Sequence, residues 1–169
     1  MTLPLGLRRL ALTAHIVCSV GWLGAIGAFL GLAVAALVSD DIDLVRGIYL
    51  AMEVSGWYVL VPLALASLLT GLVQSFGTRW GLFRHYWVVF KLVINVAATV
   101  VLLAYMQTLE YFGTLARTSS DLAAFQSPSP LVHSLAALLL LAVATVLGVY
   151  KPRGLTPYGQ RKQRSARSR

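Results

Sequence analysis

The chain has 169 residues, of which 58% are hydrophobic and only 12% charged, about half the charged share of an ordinary soluble domain. Its 14 basic and 6 acidic residues give a net charge of +8. This composition belongs to the membrane class and excludes an ordinary soluble enzyme domain. The lone Cys18 excludes an internal disulfide and speaks against dithiol redox chemistry.

The first apolar block runs from Leu10 to Val38, after Arg8 and Arg9. A secretory signal has an apolar core of about 7–15 residues; this block is nearly twice as long, so a retained helix is expected. His15 lies about five residues inside it, with Ser19 and Trp22 at i+4 and i+7 on the same face. A separate face carries Gly24, Gly27, Ala28 and Gly31, small residues that let a neighbouring backbone approach closely.

The second block, Trp57 to Phe76, brings Ser67, Thr70 and Gln74 towards the level of His15 as it returns. The third, Tyr86 to Met106, contains Lys91, with Asn95 and Thr99 at i+4 and i+8. A long connection, Gln107 to Pro130, contains "LEYFGTLARTSSDLAAF", read as a short interfacial helix, and ends in the turn "SPSP". The fourth block, Leu131 to Tyr150, carries Thr145. Each block is long enough to cross a hydrocarbon core of about 30 Å. Within lipid each must satisfy its own backbone, which predicts helices; the alternating pattern of a β-barrel is absent.

The predicted fold is all-α: a polytopic membrane protein with four transmembrane helices in one bundle over residues 1–150. A basic tail, 151–169, is expected to be disordered. Arg8, Arg9, Arg79, Arg84 and seven tail residues (Lys151, Arg153, Arg161, Lys162, Arg164, Arg167 and Arg169) fall on one side of a four-span arrangement. The other side has Arg46, Arg117 and all six acids, Asp40, Asp41, Asp43, Glu53, Glu110 and Asp121. The positive-inside rule then predicts a multi-pass protein of the cell membrane with both termini cytoplasmic. Aromatic belts are expected at Trp80, Tyr86 and Trp87 inside and at Trp57, Tyr58, Tyr105 and Tyr111 outside. The tail reads as a determinant of orientation that touches anionic lipid, worth about 1 kcal/mol per basic residue near the surface, and not as a nucleic-acid binder.

Ionisable groups within a span are functional candidates because each is costly there. His15 and Lys91 both lie roughly 7–8 Å from the cytoplasmic edge, and no acidic residue shares their side of the membrane. Three readings of Lys91 stay open: it snorkels to the interface, it is neutral, or it meets an anion carried by a ligand. His15 is read either as hydrogen-bonded within the bundle or as an axial ligand of haem. His85 reads as a solvated interfacial residue; His133, Glu53 and Glu110 lack the tight spacing of a metal site. No Walker loop, HExxH, CxxC or serine-nucleophile motif is present, so no catalytic residue is assigned.

Two of these segments resemble a known family. "HIVCSVGWLGAI" (His15 to Ile26) is similar to the first-helix motif of the small bacterial membrane protoporphyrinogen oxidases called HemJ, a histidine followed seven residues later by tryptophan. "WVVFKL" (Trp87 to Leu92) is similar to that family's third-helix motif, a tryptophan followed four residues on by lysine and leucine. Related helical modules occur in CopD-type copper-resistance proteins and in uncharacterised bacterial four-helix families. The resemblance implies a bacterial inner-membrane location and haem b or a porphyrin held between the first and third spans. His15 would be the ligand of a haem iron and Lys91 the partner of a propionate, with Trp22 and Asn95 lining the pocket. The chain departs from the family where Gly27 to Gly31 replaces a segment with an arginine, and where Val89 stands in place of a frequent second histidine. Two other functions are weighed against this one: a non-enzymatic structural or assembly subunit with a membrane-protein partner or a second copy, and copper transport. Three methionines and one cysteine speak against copper, which soft sulfur ligands select.

Overall fold

The computed structural model describes residues 4–77 and 81–167. Arg79, Trp80 and Arg169, which enter the charge and aromatic-belt expectations, lie outside the described residues. Helices are α1 (Leu5–Val38), α2 (Ile42–Ser55), α3 (Val61–Gly77), α4 (Tyr86–Thr118), α5 (Ser129–Tyr150) and α6 (Pro157–Arg167). One π-helical turn, Gly56–Leu60, joins α2 to α3, so Ile42–Gly77 is one continuous helical segment. Among the described residues there is no β-strand, only one antiparallel bridge between His85 and Leu155.

Four segments are long and apolar enough to cross a membrane: Leu5–Val38, Ile42–Gly77, Tyr86–Thr118 and Leu122–Tyr150. Their apolar side chains point outward as well as inward. Leu69, Val100, Leu139 and Val146 are all more than half exposed, as expected where lipid and not water is the surrounding medium. Inside, α1 and α4 each pack against α3 and α5, which places α1 and α4 on a diagonal of the bundle. Trp22, Ile26 and Phe29 of α1, Ala64 of α3, Ala98 of α4 and Leu141 of α5 belong to the shared core.

The connection before Trp57 is helical, and the connection after Met106 begins as a continuation of α4. The Ile42–Gly77 segment has 36 residues and α4 has 33, about 54 and 50 Å of helix against a hydrocarbon core of about 30 Å. Both therefore run past the apolar spans at the acidic end, where α2 packs against the last turns of α4. The buried residues Val45, Ile48, Tyr49 and Met52 on α2 recur at helical spacing, as do Leu109, Phe112, Gly113 and Ala116 on α4. Asp41 caps α2 by accepting from the Asp43 and Leu44 amides. Tyr49 stacks on Phe112 with ring centroids 4.7 Å apart and donates to the Phe125 carbonyl at 3.0 Å. Of the segment "LEYFGTLARTSSDLAAF", expected to form a short interfacial helix, the residues up to Thr118 continue α4 and Leu122–Phe125 is a four-residue 3-10 turn.

The tail differs from expectation as well. Thr156 donates its backbone N–H to the Arg84 carbonyl at 3.0 Å, and its Oγ1 accepts from the Gly159 amide at 3.1 Å, starting α6. Pro157 follows in the first helical position, where its missing N–H costs nothing. A tail with few apolar residues thus gains order from one buried cap, Thr156, docked on the turn before α4.

At the acidic end the Glu53 carboxylate accepts from Arg117 Nη2 at 2.7 Å and lies directly against Gly113, where any Cβ would overlap it. Gly113→Ala is expected to lower stability by roughly 1–3 kcal/mol, the usual range for overpacking. Thermal unfolding in mild detergent should show the loss, and a Glu53→Ala background should remove most of it.

Candidate functional site

The polar residues of the first three spans meet in one layer of the interior near the basic end. His15 reaches from α1 to α3, its Nδ1 3.2 Å from the Ser67 carbonyl and 3.1 Å from Thr70 Oγ1. Thr70 Oγ1 donates its own proton to the Ala66 carbonyl at 2.6 Å, so it acts towards His15 as an acceptor. Both partners of Nδ1 are therefore acceptors, which assigns the proton to Nδ1 and leaves the lone pair on Nε2.

That lone pair faces Lys91 Nζ, 3.5 Å away across the diagonal from α4. Lys91 is thus turned into the bundle and towards α5, where a Cβ at Gly148 would lie 3.0 Å from Nζ. Lys151, the first residue after α5, is within electrostatic reach of Lys91. On the other flank a Cβ at Gly71 would lie 3.1 Å from His15 Cε1. Two glycines on opposite helices therefore make room for the two ionisable side chains.

One turn further along, Ser67 Oγ lies 2.9 Å from Ser19 Oγ and accepts from Asn95 Nδ2 at 3.3 Å. Thr99 Oγ1 donates to the Asn95 carbonyl at 2.8 Å. Asn95 Oδ1 is buried without a partner among the described residues. The layer thus joins α1, α3 and α4 through His15, Ser19, Ser67, Thr70, Lys91 and Asn95. Thr145 is exposed on α5 and donates to Leu141 of its own helix.

Trp22 stands apart. Two turns from His15, it is buried at 1% exposure and borders an apolar cleft of about 140 Å³ between α1, α4 and α5. The acidic-end candidates are engaged separately: Glu53 with Arg117, Glu110 with Trp57 Nε1 at 3.0 Å, and His133 with the Ser129 carbonyl at 2.8 Å. Among the described residues no three His, Cys, Asp or Glu side chains converge on a metal position.

These residues do not fit an iron porphyrin ligated by His15. Nδ1 is bound to α3, Nε2 is turned to Lys91, and Gly71 closes on the ring edge. Gly71 and Gly148 are the site residues that sequence reasoning missed. Neither has a chemical signal of its own, and their role appears only when the facing helix is placed.

Comparisons with protein-family models, curated proteins and solved structures yield no match to this chain.

Hydrogen bonds between transmembrane helices average about 0.6 kcal/mol and reach about 1.7. Ser67→Ala removes the group shared by Ser19 and Asn95, so a loss of roughly 1 kcal/mol is expected in detergent unfolding. The layer also holds the helices in register, so hydrogen exchange near Ser19 and Asn95 should rise in that variant.

Proposed function

We propose that this chain is a multi-pass cell-membrane protein, with both termini in the cytoplasm, that binds the acid group of an amphipathic ligand at the Lys91–His15 layer. The observation that carries the reading is a lysine turned into the bundle onto the lone pair of a neutral imidazole, with no carboxylate beside it among the described residues. All six carboxylates of the chain are at the opposite end. An imidazole supplies a dipole but no countercharge, and a bare cation within a span is costly. A ligand carboxylate would supply the charge. The basic groups Arg84, Lys151 and the α6 residues at that end make the entrance attractive to anions.

The resemblance to HemJ narrows the ligand to the porphyrin class, whose propionates would pair with Lys91. In this reading His15 orients Lys91 and is not a ligand to iron. The test is titration of the purified protein with metal-free protoporphyrin and with haem, followed by absorption and fluorescence. Both are expected to bind. Lys91→Met should weaken binding about 10–100-fold, the range for one charge-assisted hydrogen bond, with partial recovery in Lys91→Arg; His15→Ala should weaken both alike. Binding of haem alone, with a Soret shift lost in His15→Ala, would replace this reading with axial ligation.

A second reading, an assembly subunit, is favoured by α1. Gly24, Gly27, Ala28 and Gly31 are exposed on the outside of the bundle, and a Cβ at any of the three glycines would meet nothing within 4 Å. Gly27 and Gly31 have the four-residue spacing that lets helices cross closely in a membrane. Gly27→Leu with Gly31→Leu is expected to leave the fold intact. If this face holds a second copy, the double variant should shift the protein to monomer by light scattering in detergent; an unchanged mass would remove the self-association form of this reading.

A further inference from the structure

The basic tail acquires a fixed place because the chain folds it back onto the bundle. The Tyr86 amide donates to the Gly154 carbonyl at 3.3 Å, the Thr156 amide donates to the Arg84 carbonyl at 3.0 Å, and His85 and Leu155 form the antiparallel bridge. Thr156 Oγ1 donates to the Phe83 carbonyl while it accepts from the Gly159 amide. Gly159 is buried, and a Cβ there would overlap the Arg84 carbonyl oxygen. The first turn of α6 therefore lies directly against the backbone of the turn before α4, an approach that needs a residue without a Cβ.

These bonds also set the level of α6. Tyr86 is the first residue of α4 and Tyr150 the last of α5, and Phe83, Tyr86, Tyr150 and Tyr158 are all exposed. Exposed tyrosines at the ends of spans lie at the level of lipid headgroups, so α6 begins at that level. Its exposed side chains include Arg161, Lys162 and Arg164. Tyr158, Arg161 and Lys162 share a face by helical spacing, with Lys162 Nζ 6.0 Å from the Tyr158 ring centroid. The chain has no acidic residue after Asp121, so neither α6 nor the connection before it carries a countercharge. A cationic helix with a tyrosine, held at the headgroup level, is complementary to a layer of phosphodiester anions. Nucleic acid would match the charge, but a helix fixed at the boundary of the spans meets lipid first.

We infer that docked α6 is a binding site for the headgroups of anionic phospholipids, which Arg161, Lys162 and Arg164 contact while Tyr158 anchors the helix at the interface. The inference rests on the reading of the chain as membrane-spanning and is independent of the ligand at Lys91. It differs from a charged tail held loosely near a surface, because the site exists only while α6 is folded against the turn before α4.

The experiment uses the full chain in mild detergent, offered an equimolar mixture of phosphatidylglycerol and phosphatidylcholine; the lipid that coelutes in gel filtration is quantified. Phosphatidylglycerol is expected to exceed phosphatidylcholine about fivefold, and the excess should collapse at 1 M salt, where the Debye length is about 3 Å. Arg161→Gln with Lys162→Gln and Arg164→Gln should remove most of the excess. Gly159→Val keeps every charge but cannot dock, so it should remove as much, and Thr156→Val should act in the same direction. Hydrogen exchange at the Tyr86 amide verifies undocking, and circular dichroism verifies that the spans remain folded. Equal retention of the two lipids, or an undocked Gly159→Val with the selectivity of the wild type, would overturn the inference. So would a short duplex DNA that binds the chain in phosphatidylcholine vesicles and is not displaced by phosphatidylglycerol, which would make α6 a nucleic-acid surface. A chain that fails to insert into phosphatidylcholine vesicles would overturn the membrane reading and this inference with it.

Discussion

An amine placed in the interior of a membrane bundle without a carboxylate in its half is the constraint to which the rest of this structure answers. Lys91 reaches inward, and the lone pair of His15 is what receives it. For that lone pair to be available, the imidazole proton must sit on Nδ1, which requires acceptors on α3; the Ser67 carbonyl and Thr70 Oγ1 are those acceptors. The tautomer of one histidine is thus tied to the backbone of a second helix and the side chain of a third. Close packing follows, because α3 and α5 must each present a glycine to the pair. Replacing either glycine by a larger residue would push on the ionisable groups directly.

The two ends of the bundle treat charge in opposite ways. At the acidic end, ions are matched inside the chain: Glu53 with Arg117, Asp43 with Arg46 at 3.5 Å, Glu110 with an indole N–H. Exposed pairs of this kind contribute little individually, about 0–1 kcal/mol; the order there comes from the apolar packing of α2 on α4 around Tyr49 and Phe112. At the basic end no acid is present to match. Cations gather there at Arg84, Lys91, Lys151 and along α6.

How much of this was legible depended on whether the signal lay within one helix or between two. The four spans follow from hydrophobic length, and the shared faces of His15 with Ser19 and of Lys91 with Asn95 follow from the helical repeat. The spans also placed Ser67 and Thr70 at the right depth, because an apolar rod crosses a layer of known thickness. The helical extension before Trp57 was missed although Val45, Ile48 and Met52 carry a clear helical period; total apolarity sets the limits of a span, and amphipathic turns beyond it fall below that threshold. The docked Thr156 cap was invisible because its partner, the Arg84 carbonyl, is a backbone group some seventy residues away. Trp22 was grouped with His15 from their common face, but two turns of helix are about 10 Å, and that distance carries it out of the polar layer into the apolar cleft.

That separation gives the interior an order along its axis. Ascending α1 from the basic end, the side chains facing inward pass from His15 to Ser19 to Trp22, and along α4 from Lys91 to Asn95 to Ala98. The charge is therefore deepest in polar company and the cleft begins where hydrogen-bonding side chains stop. Two buried atoms fall at this transition without a partner among the described residues, Asn95 Oδ1 and Trp22 Nε1. One is an acceptor and the other a donor, yet they do not satisfy each other, because α1 and α4 stand on a diagonal and hardly touch. A bundle with α1 and α4 adjacent would close that gap and lose the cleft. The diagonal arrangement keeps both, so the unpaired donor is a consequence of the same helix order that lets Lys91 meet His15 across the centre.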